Sequence, residues 1–267
     1  MKISQTSLSL IPTLLLAWLL PTGCMTTGGD APPEPPLEPV AEDGNSEGVT
    51  SQDSPEPPSE PAEPPVQENK WFPYYSNSFS HYDTGDDEPE GLLILDGNFS
   101  VAKEGGNKVL TLPAEPLDDF GVLFGPRIPG DVAVQANFLS SKAGRRVPAF
   151  SVGLGGVNGF RAKLNLAHRK LQLVKEGEIM GESPFKWVSD EWVTIRIQRE
   201  KPDKNSDSWI IKVKAWQGEE TADWPVVLES DAKQSAGKCS VWGAPYSTKP
   251  IHIDDITVFS ANALGAP

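Results

Sequence analysis

Acidic side chains form the groups in this sequence that most resemble a chemical site. Asp254 and Asp255 interrupt an apolar stretch near the end of the chain, and five acids lie within residues 83–90. A buried carboxylate is costly unless a cation or a set of donors satisfies it, and calcium binds six to eight oxygens. The pattern predicts a structural calcium at Asp254 and Asp255, completed by oxygens from residues 83–90. The alternative is a solvated acidic loop and an aspartate satisfied by backbone donors.

The sequence contains none of the common catalytic patterns. Glycosidases flank one bond with two carboxylates, and the E-x-D-x-x-E strand that can arrange them does not occur here. The histidines, His81, His168 and His252, are far apart and have no serine or cysteine arrangement beside them. No HExxH, CxxC or phosphate-binding loop pattern is found. We therefore assign no catalytic residue from the sequence.

Tryptophan side chains are the candidates for ligand contact. A pyranose ring has an apolar face that stacks on a flat aromatic ring. Trp187, Trp216 and Trp224 flank polar loops and are the predicted ligand-binding residues. Trp242 lies beside a glycine and is expected to serve packing. Packing in the core or at its rim is also the alternative for the three candidates.

The first 23 residues read as an export signal. Lys2 precedes a short apolar run over residues 8–20, which is too short for an ordinary spanning helix but is typical of a signal peptide. The Pro-Thr-Gly-Cys that follows resembles the bacterial lipobox. This resemblance implies that Cys24 is diacylated, becomes the mature N-terminus and anchors the chain in a membrane. Met25 implies the outer membrane; an ordinary signal peptide or an uncleaved anchor is the alternative.

Residues 24–69 are predicted to be a disordered tether. Proline alternates with acid there, and residues 25–69 hold eleven acids and no lysine or arginine. Such a segment cannot bury enough apolar surface to fold, and its charge and prolines extend it. A docking motif for a proline-recognition domain is the alternative. The remaining residues, 70–267, are much closer to neutral than the net charge of −14 indicates. They show no basic stripe, so we expect no nucleic-acid partner.

Residues 70–267 show the period-two pattern of half-buried strands. Apolar and polar residues alternate over 132–138, 162–166, 193–197, 211–215 and 251–258, and glycine- or proline-containing turns separate these segments. No long stretch has a helical period, so the pattern favours an antiparallel sandwich or barrel. Cys239 is the only cysteine of this part, so it is predicted to be a small buried hydrophobe in a strand.

The order of several motifs resembles the concanavalin A-like (laminin-G-like) jelly rolls. These motifs are Leu-Asp-Gly-Asn-Phe at 95–99, Glu-Trp-Val-Thr-Ile-Arg-Ile at 191–197, the strand at 209–216, and His-Ile-Asp-Asp-Ile-Thr-Val at 252–258. The nearest resemblance is to the 3-keto-disaccharide hydrolase type, although residues 153–161 depart from its Asn-Ser-Gly-aromatic-Arg run. The resemblance implies an all-β fold, an antiparallel β-sandwich of concanavalin A-like jelly-roll type, in which calcium often ties the terminal strands together.

Together these features predict a lipid-anchored protein of the cell envelope whose β-sandwich binds carbohydrate or another surface ligand without catalysis. A glycoside-active enzyme of the 3-keto-disaccharide hydrolase type is the first alternative, and it rests on family resemblance alone. A structural envelope lipoprotein without a ligand is the second.

Replacing Cys24 tests the anchor. We expect Cys24→Ala to move the protein from the detergent phase to the aqueous phase in detergent partitioning, because the acylated side chain is lost. Continued retention of the variant with membranes would contradict the acylation.

Overall fold

The computed structural model describes residues 71–114, 119–203, 205–231, 236–246 and 248–261. The predicted signal peptide, Cys24 and the tether lie outside these residues. The described chain consists of β-strands and their connections, and none of it forms a helix long and apolar enough to cross a membrane. The strands are β1 (Phe72–Asn77), β2 (Leu92–Asp96), β3 (Ser100–Glu104), β4 (Asn107–Leu112), β5 (Phe120–Phe124), β6 (Val132–Leu139), β7 (Ala149–Leu154), β8 (Phe160–Asn165), β9 (Lys170–Lys175), β10 (Glu178–Pro184), β11 (Val193–Glu200), β12 (Trp209–Trp216), β13 (Val226–Ser230), β14 (Cys239–Ala244) and β15 (Ile251–Ser260).

The strands form two antiparallel sheets. Sheet 1 has the order β13-β12-β11-β6-β15-β4-β3, and β1 pairs with the second half of β15. Sheet 2 has the order β10-β9-β8-β7-β14-β5-β2. In each sheet a late strand, β15 or β14, lies between strands that come much earlier in the chain, as in a jelly roll. The predicted antiparallel β-sandwich is therefore confirmed.

Apolar side chains of the two inner faces form the core. Phe138 on β6 of sheet 1 and Phe150 on β7 of sheet 2 are stacked with 5.3 Å between ring centroids, which joins the sheets directly. Successive side chains of a strand point to opposite faces of the sheet, and this determines which other residues enter the core. On β8, Phe160, Ala162 and Leu164 are buried, and the residues between them face outward. The side chains that can meet a ligand on a sheet are therefore those of the alternate, outward positions.

The strand and cysteine predictions agree with the structure. The segments 132–138, 193–197 and 211–215 lie in β6, β11 and β12, and the segment 251–258 lies in β15. Cys239 is free and buried in β14, as predicted. Burial raises the pKa of its thiol to about 12, so the residue is an inert hydrophobe rather than a nucleophile.

Candidate functional site

The outer face of sheet 2 carries a group of polar side chains on neighbouring strands. On β8, Arg161, Lys163 and Asn165 point outward because the residues between them enter the core. The strand register places Lys163 opposite Gln172 on β9, and Ser151 of β7 on its other side. Polar groups from three adjacent strands therefore share one surface.

A stack of Arg161 on Trp242 organises this surface. The guanidinium carbon lies 3.4 Å from the centroid of the Trp242 ring. The ring also covers Gly121, where an added Cβ would lie 2.4 Å from ring carbons. The indole Nε1 donates a hydrogen bond of 2.9 Å to Ser240 Oγ. Glycine at position 121 is thus required for the ring to lie flat on the sheet.

Two further contacts hold the Arg161 guanidinium in place. Its Nη1 donates to Asp119 Oδ2 at 2.9 Å, and its Nη2 donates to the Val157 carbonyl at 3.3 Å. Burial lowers the pKa of Arg161, but an arginine keeps its charge in proteins, and the Asp119 carboxylate offsets part of the desolvation. Arg161 is therefore a fixed cation at the base of the surface.

A chain of amide hydrogen bonds runs across the adjoining strands. Asn165 Nδ2 donates to Gln172 Oε1 at 3.3 Å, and Gln172 Nε2 donates to Glu182 Oε2 at 3.0 Å. The bond from Gln172, and after it the one from Lys170, lowers the pKa of Glu182. Lys163 lies beside this chain and has no hydrogen-bond or ion-pair partner among the described residues. Its ammonium group is therefore a donor available to a ligand.

An open cavity of about 580 Å³ is lined by Asp119, Arg161, Lys163, Asn165 and Gln172 from this group. One wall is the loop at residues 155–159 and another is the turn between β9 and β10. Glycine is obligatory in the loop, because a Cβ at Gly159 would lie 1.7 Å from the Leu154 carbonyl oxygen. In the turn, Glu176 and Gly177 have φ of 51° and 86°, the positive values of a two-residue hairpin turn. Val174 and Ile179 add an apolar patch.

Most of the described side chains that line the cavity are hydrogen-bonding or apolar groups. Among the described lining residues the carboxylates are Asp119 and Glu176, and no serine, cysteine or histidine lines it. Asp119 is ion-paired with Arg161, and Glu176 lies in the β9–β10 turn. Of the remaining polar side chains, the amides donate and accept hydrogen bonds, and the cations Arg161 and Lys163 donate them.

The structure does not bring together the three tryptophans predicted from the sequence. Trp216 ends β12 on the outer face of sheet 1, is only 7% exposed, and so offers almost no ring surface to a sugar. Trp224 is more accessible, and the Lys214 ammonium lies 4.7 Å from its ring and 5.2 Å from that of Trp216. Trp187 lines a separate cavity, between β10 and β11. Ligand contact by these three residues stays a prediction.

Trp242 and Arg161 are the residues that sequence reasoning missed. The sequence contains a pattern that could have indicated the position of Trp242. Cys239 and Val241 alternate with Ser240 and Trp242, so if β14 is a central strand, the tryptophan faces away from the core. That central position depends on pairing with β5 and β7, which are distant in the sequence.

The Asp254–Asp255 pair lies at a bulge in β15, where its register with β6 shifts. A cavity of about 400 Å³ beside the pair is also lined by Ser78, Ser80 and residues 106–108. None of residues 83–90 lines it. Gly85 and Asp86 instead form backbone hydrogen bonds with Val101 on the edge strand β3. The structure therefore does not support ligands from the 83–90 loop at this cavity, and that part of the calcium site stays a prediction.

The residues around the pair fit a calcium ion only in part. Two carboxylates and two serine hydroxyls line the cavity, but so does Lys108, whose ammonium donates to the Tyr82 carbonyl at 2.5 Å. Within the described ranges, no group of three or more histidine, cysteine or acidic side chains could hold a metal. The calcium at Asp254 and Asp255 stays a prediction.

Burial raises the pKa of Asp254 to about 6, even though the Asp255 N–H donates to its Oδ1 at 2.8 Å. The carboxyl of an unfolded chain has a pKa of 3.8. The folded state therefore binds more protons between these two values, and the stability that Asp254 contributes falls as pH rises from about 4 to about 6.

Comparisons with known proteins give similarity to solved structures only at low sequence identity. No family model and no curated protein matches the chain. Among solved structures, the carbohydrate binding module CBM66 from Bacillus subtilis is 14% identical, covers 64% of this chain and 96% of its own, and has a TM-score of 0.43. The exoplasmic/lumenal domain of VIP36 in its Ca²⁺/Man-bound form is 10% identical, with coverages of 72% and 90% and a TM-score of 0.47. A marine PL-14 alginate lyase from Aplysia kurodai is 9% identical, with coverages of 70% and 98% and a TM-score of 0.47.

Replacing Asp254 tests the cost of its charge. Asp254→Asn keeps the acceptor for the Asp255 N–H and removes the charge. In the absence of calcium we expect its melting temperature at pH 7.5 to exceed that of the wild type by a few degrees, since about 1 kcal/mol corresponds to about 2–4 °C in a domain of this size. The difference should disappear below about pH 4. Thermal unfolding followed by circular dichroism between pH 3.5 and pH 8 measures it.

The matched control is Asp87→Asn, an exposed acid of the 83–90 loop, which should leave the melting temperature unchanged. A lower melting temperature of Asp254→Asn at pH 7.5 would contradict the account and show that the carboxylate charge is satisfied. A rise of the wild-type melting temperature with added calcium, lost in Asp255→Ala, would establish the metal site.

Proposed function

We propose that the described domain binds a saccharide, without catalysis, in the cavity on the outer face of sheet 2. The observation that carries the proposal is the lining of that cavity: amides, a fixed guanidinium and a free ammonium on adjacent strands, next to a small apolar patch. Sugar hydroxyls pair with such planar donors and acceptors, and the apolar face of a pyranose covers the aliphatic side chains.

The energetics of the lining support binding in a fixed geometry. Arg161 and Gln172 already hold intramolecular partners on one side, so little side-chain entropy is lost when a ligand binds on the other. Lys163 has no such partner, and a hydrogen bond to a charged group contributes about 1.5–3 kcal/mol. Lys163 is therefore the residue whose loss affects binding most directly.

We also propose that Cys24 anchors the chain in the outer membrane of a cell envelope, so that the tether carries the domain away from the bilayer. This proposal rests on the sequence of residues 1–69 alone. It supplies the setting in which a saccharide-binding domain meets polymers of the envelope or of the surroundings.

The experiment is a glycan-array screen of the full-length chain, followed by isothermal titration calorimetry of the best ligand. We expect Lys163→Ala to weaken that ligand at least tenfold, which is the loss of about 1.4 kcal/mol, with an unchanged melting temperature. Lys103→Ala, an exposed lysine of β3 on sheet 1, is the matched control and should bind as the wild type does.

Equal binding by Lys163→Ala and the wild type would contradict the assignment of the site. Release of smaller sugars from the ligand during long incubation, followed by chromatography, would favour the alternative of a glycoside-active enzyme over a binding module. Absence of any glycan ligand on the array would leave the structural envelope lipoprotein as the better description.

A further inference from the structure

A second cavity, of about 670 Å³, opens at the opposite end of strands β8, β9 and β10. It lies between the loop after β6, the β8–β9 turn and the segment that joins β10 to β11. Its volume is within the range of about 300–1,000 Å³ found for small-molecule sites. The saccharide site proposed above does not include it, since the two cavities share no lining residue.

One wall of this cavity is aromatic and rigid. Trp187 packs edge-on against the core residue Phe150, with 6.3 Å between centroids and an interplanar angle of 68°. Phe185 also packs against the core, and its N–H donates to the Arg169 carbonyl at 2.9 Å. Leu166 extends the apolar surface. The wall offers a flat face that does not have to be ordered when a ligand binds.

Hydrogen bonds fix the segments on either side of the aromatic wall. The Val188 N–H donates to Gln217 Oε1 at 2.8 Å, and Gln217 Nε2 donates back to the Val188 carbonyl at 2.9 Å. The Lys142 N–H donates to Ser189 Oγ at 2.9 Å, which ties the loop after β6 to the same segment. Because these hydrogen bonds hold the walls of the cavity in place, the cavity is pre-organised and the entropic cost of binding is lower.

The charged residues that line the cavity are all cations. They are Lys142, Arg169 and Lys186, and among the described residues none of them forms an ion pair. The nearby carboxylate of Asp190 is held by the hydroxyls of Ser141 and Ser189, whose hydrogen bonds lower its pKa, and Lys142 contributes less. Three cations around one cavity favour an anionic ligand.

We propose that this cavity binds the carboxylate-bearing sugar unit of an acidic polysaccharide, a uronate. The aromatic wall takes the apolar face of the pyranose ring, and the three cations take its carboxylate, with arginine able to bind it through two parallel hydrogen bonds. A simple inorganic anion would leave the aromatic wall uncovered, and a neutral sugar would leave the cations unpaired. A uronate satisfies both parts of the lining at once.

The test is titration of the full-length chain, at low salt, with a short oligogalacturonate and with its methyl ester, which keeps the sugar rings but carries no charge. We expect the acid to bind at least tenfold more tightly than the ester. The double variant Arg169→Gln, Lys186→Gln should reduce acid binding by about tenfold, the effect of two partly exposed charges.

The matched control is Lys103→Gln, Arg127→Gln, which changes the net charge by the same amount at two exposed residues that do not line the cavity. Equal losses in the two double variants would overturn the proposal, because they would indicate attraction by overall charge alone. Equal binding of acid and ester, or binding of an oligoglutamate or of inorganic phosphate as tightly as the sugar, would overturn it as well. Failure of the acid to bind at millimolar concentration would also overturn the proposal.

Discussion

The stack of Arg161 on Trp242 is the contact on which the proposed binding face depends. It joins three strands of sheet 2, because Trp242 lies on β14, covers Gly121 on β5 and is itself covered by Arg161 from β8. A desolvated cation–π contact contributes about 2 kcal/mol, and the Asp119 carboxylate adds an ion pair at 2.9 Å. Together they hold the Arg161 guanidinium in place on the outer face of sheet 2. The neighbouring amides then face a surface of defined shape.

The two cavities give the ends of the same three strands different chemistry. At the end near the β9–β10 turn, cations and carboxylates are mixed and amides predominate. At the other end, three cations and an aromatic wall line the cavity, and no acid is among its described lining residues. The strands β8, β9 and β10 run from one cavity to the other. A long polymer lying along them would therefore contact the cavity of mixed charge at one end and the cationic cavity at the other. An acidic heteropolysaccharide has the matching variety of units.

Features that depend on local sequence could be predicted, whereas features that depend on contacts between distant segments could not. The alternation in residues 132–138 and 193–197 is local, so β6 and β11 followed from it directly. Trp216 and Trp242 look alike in sequence, since each lies in a strand near small or polar residues. Pairing of β12 and β14 with partners far along the chain buries the ring of Trp216 beside Lys214 and places that of Trp242 under Arg161. Sequence periodicity carries no information about those partners. The bulge at Asp254 was visible only as an acidic interruption, and its neighbours Ser78 and Lys108 come from distant segments.

The most direct test of the account is a crystal structure of the protein with the glycan that the array identifies. The account predicts a sugar ring on the outer face of sheet 2, with hydroxyls within hydrogen-bond distance of Lys163 Nζ and the Gln172 amide, and with the Arg161–Trp242 stack unchanged beneath it. A sugar bound on the outer face of sheet 1 beside Trp224, with the sheet 2 cavity free of ligand, would contradict it.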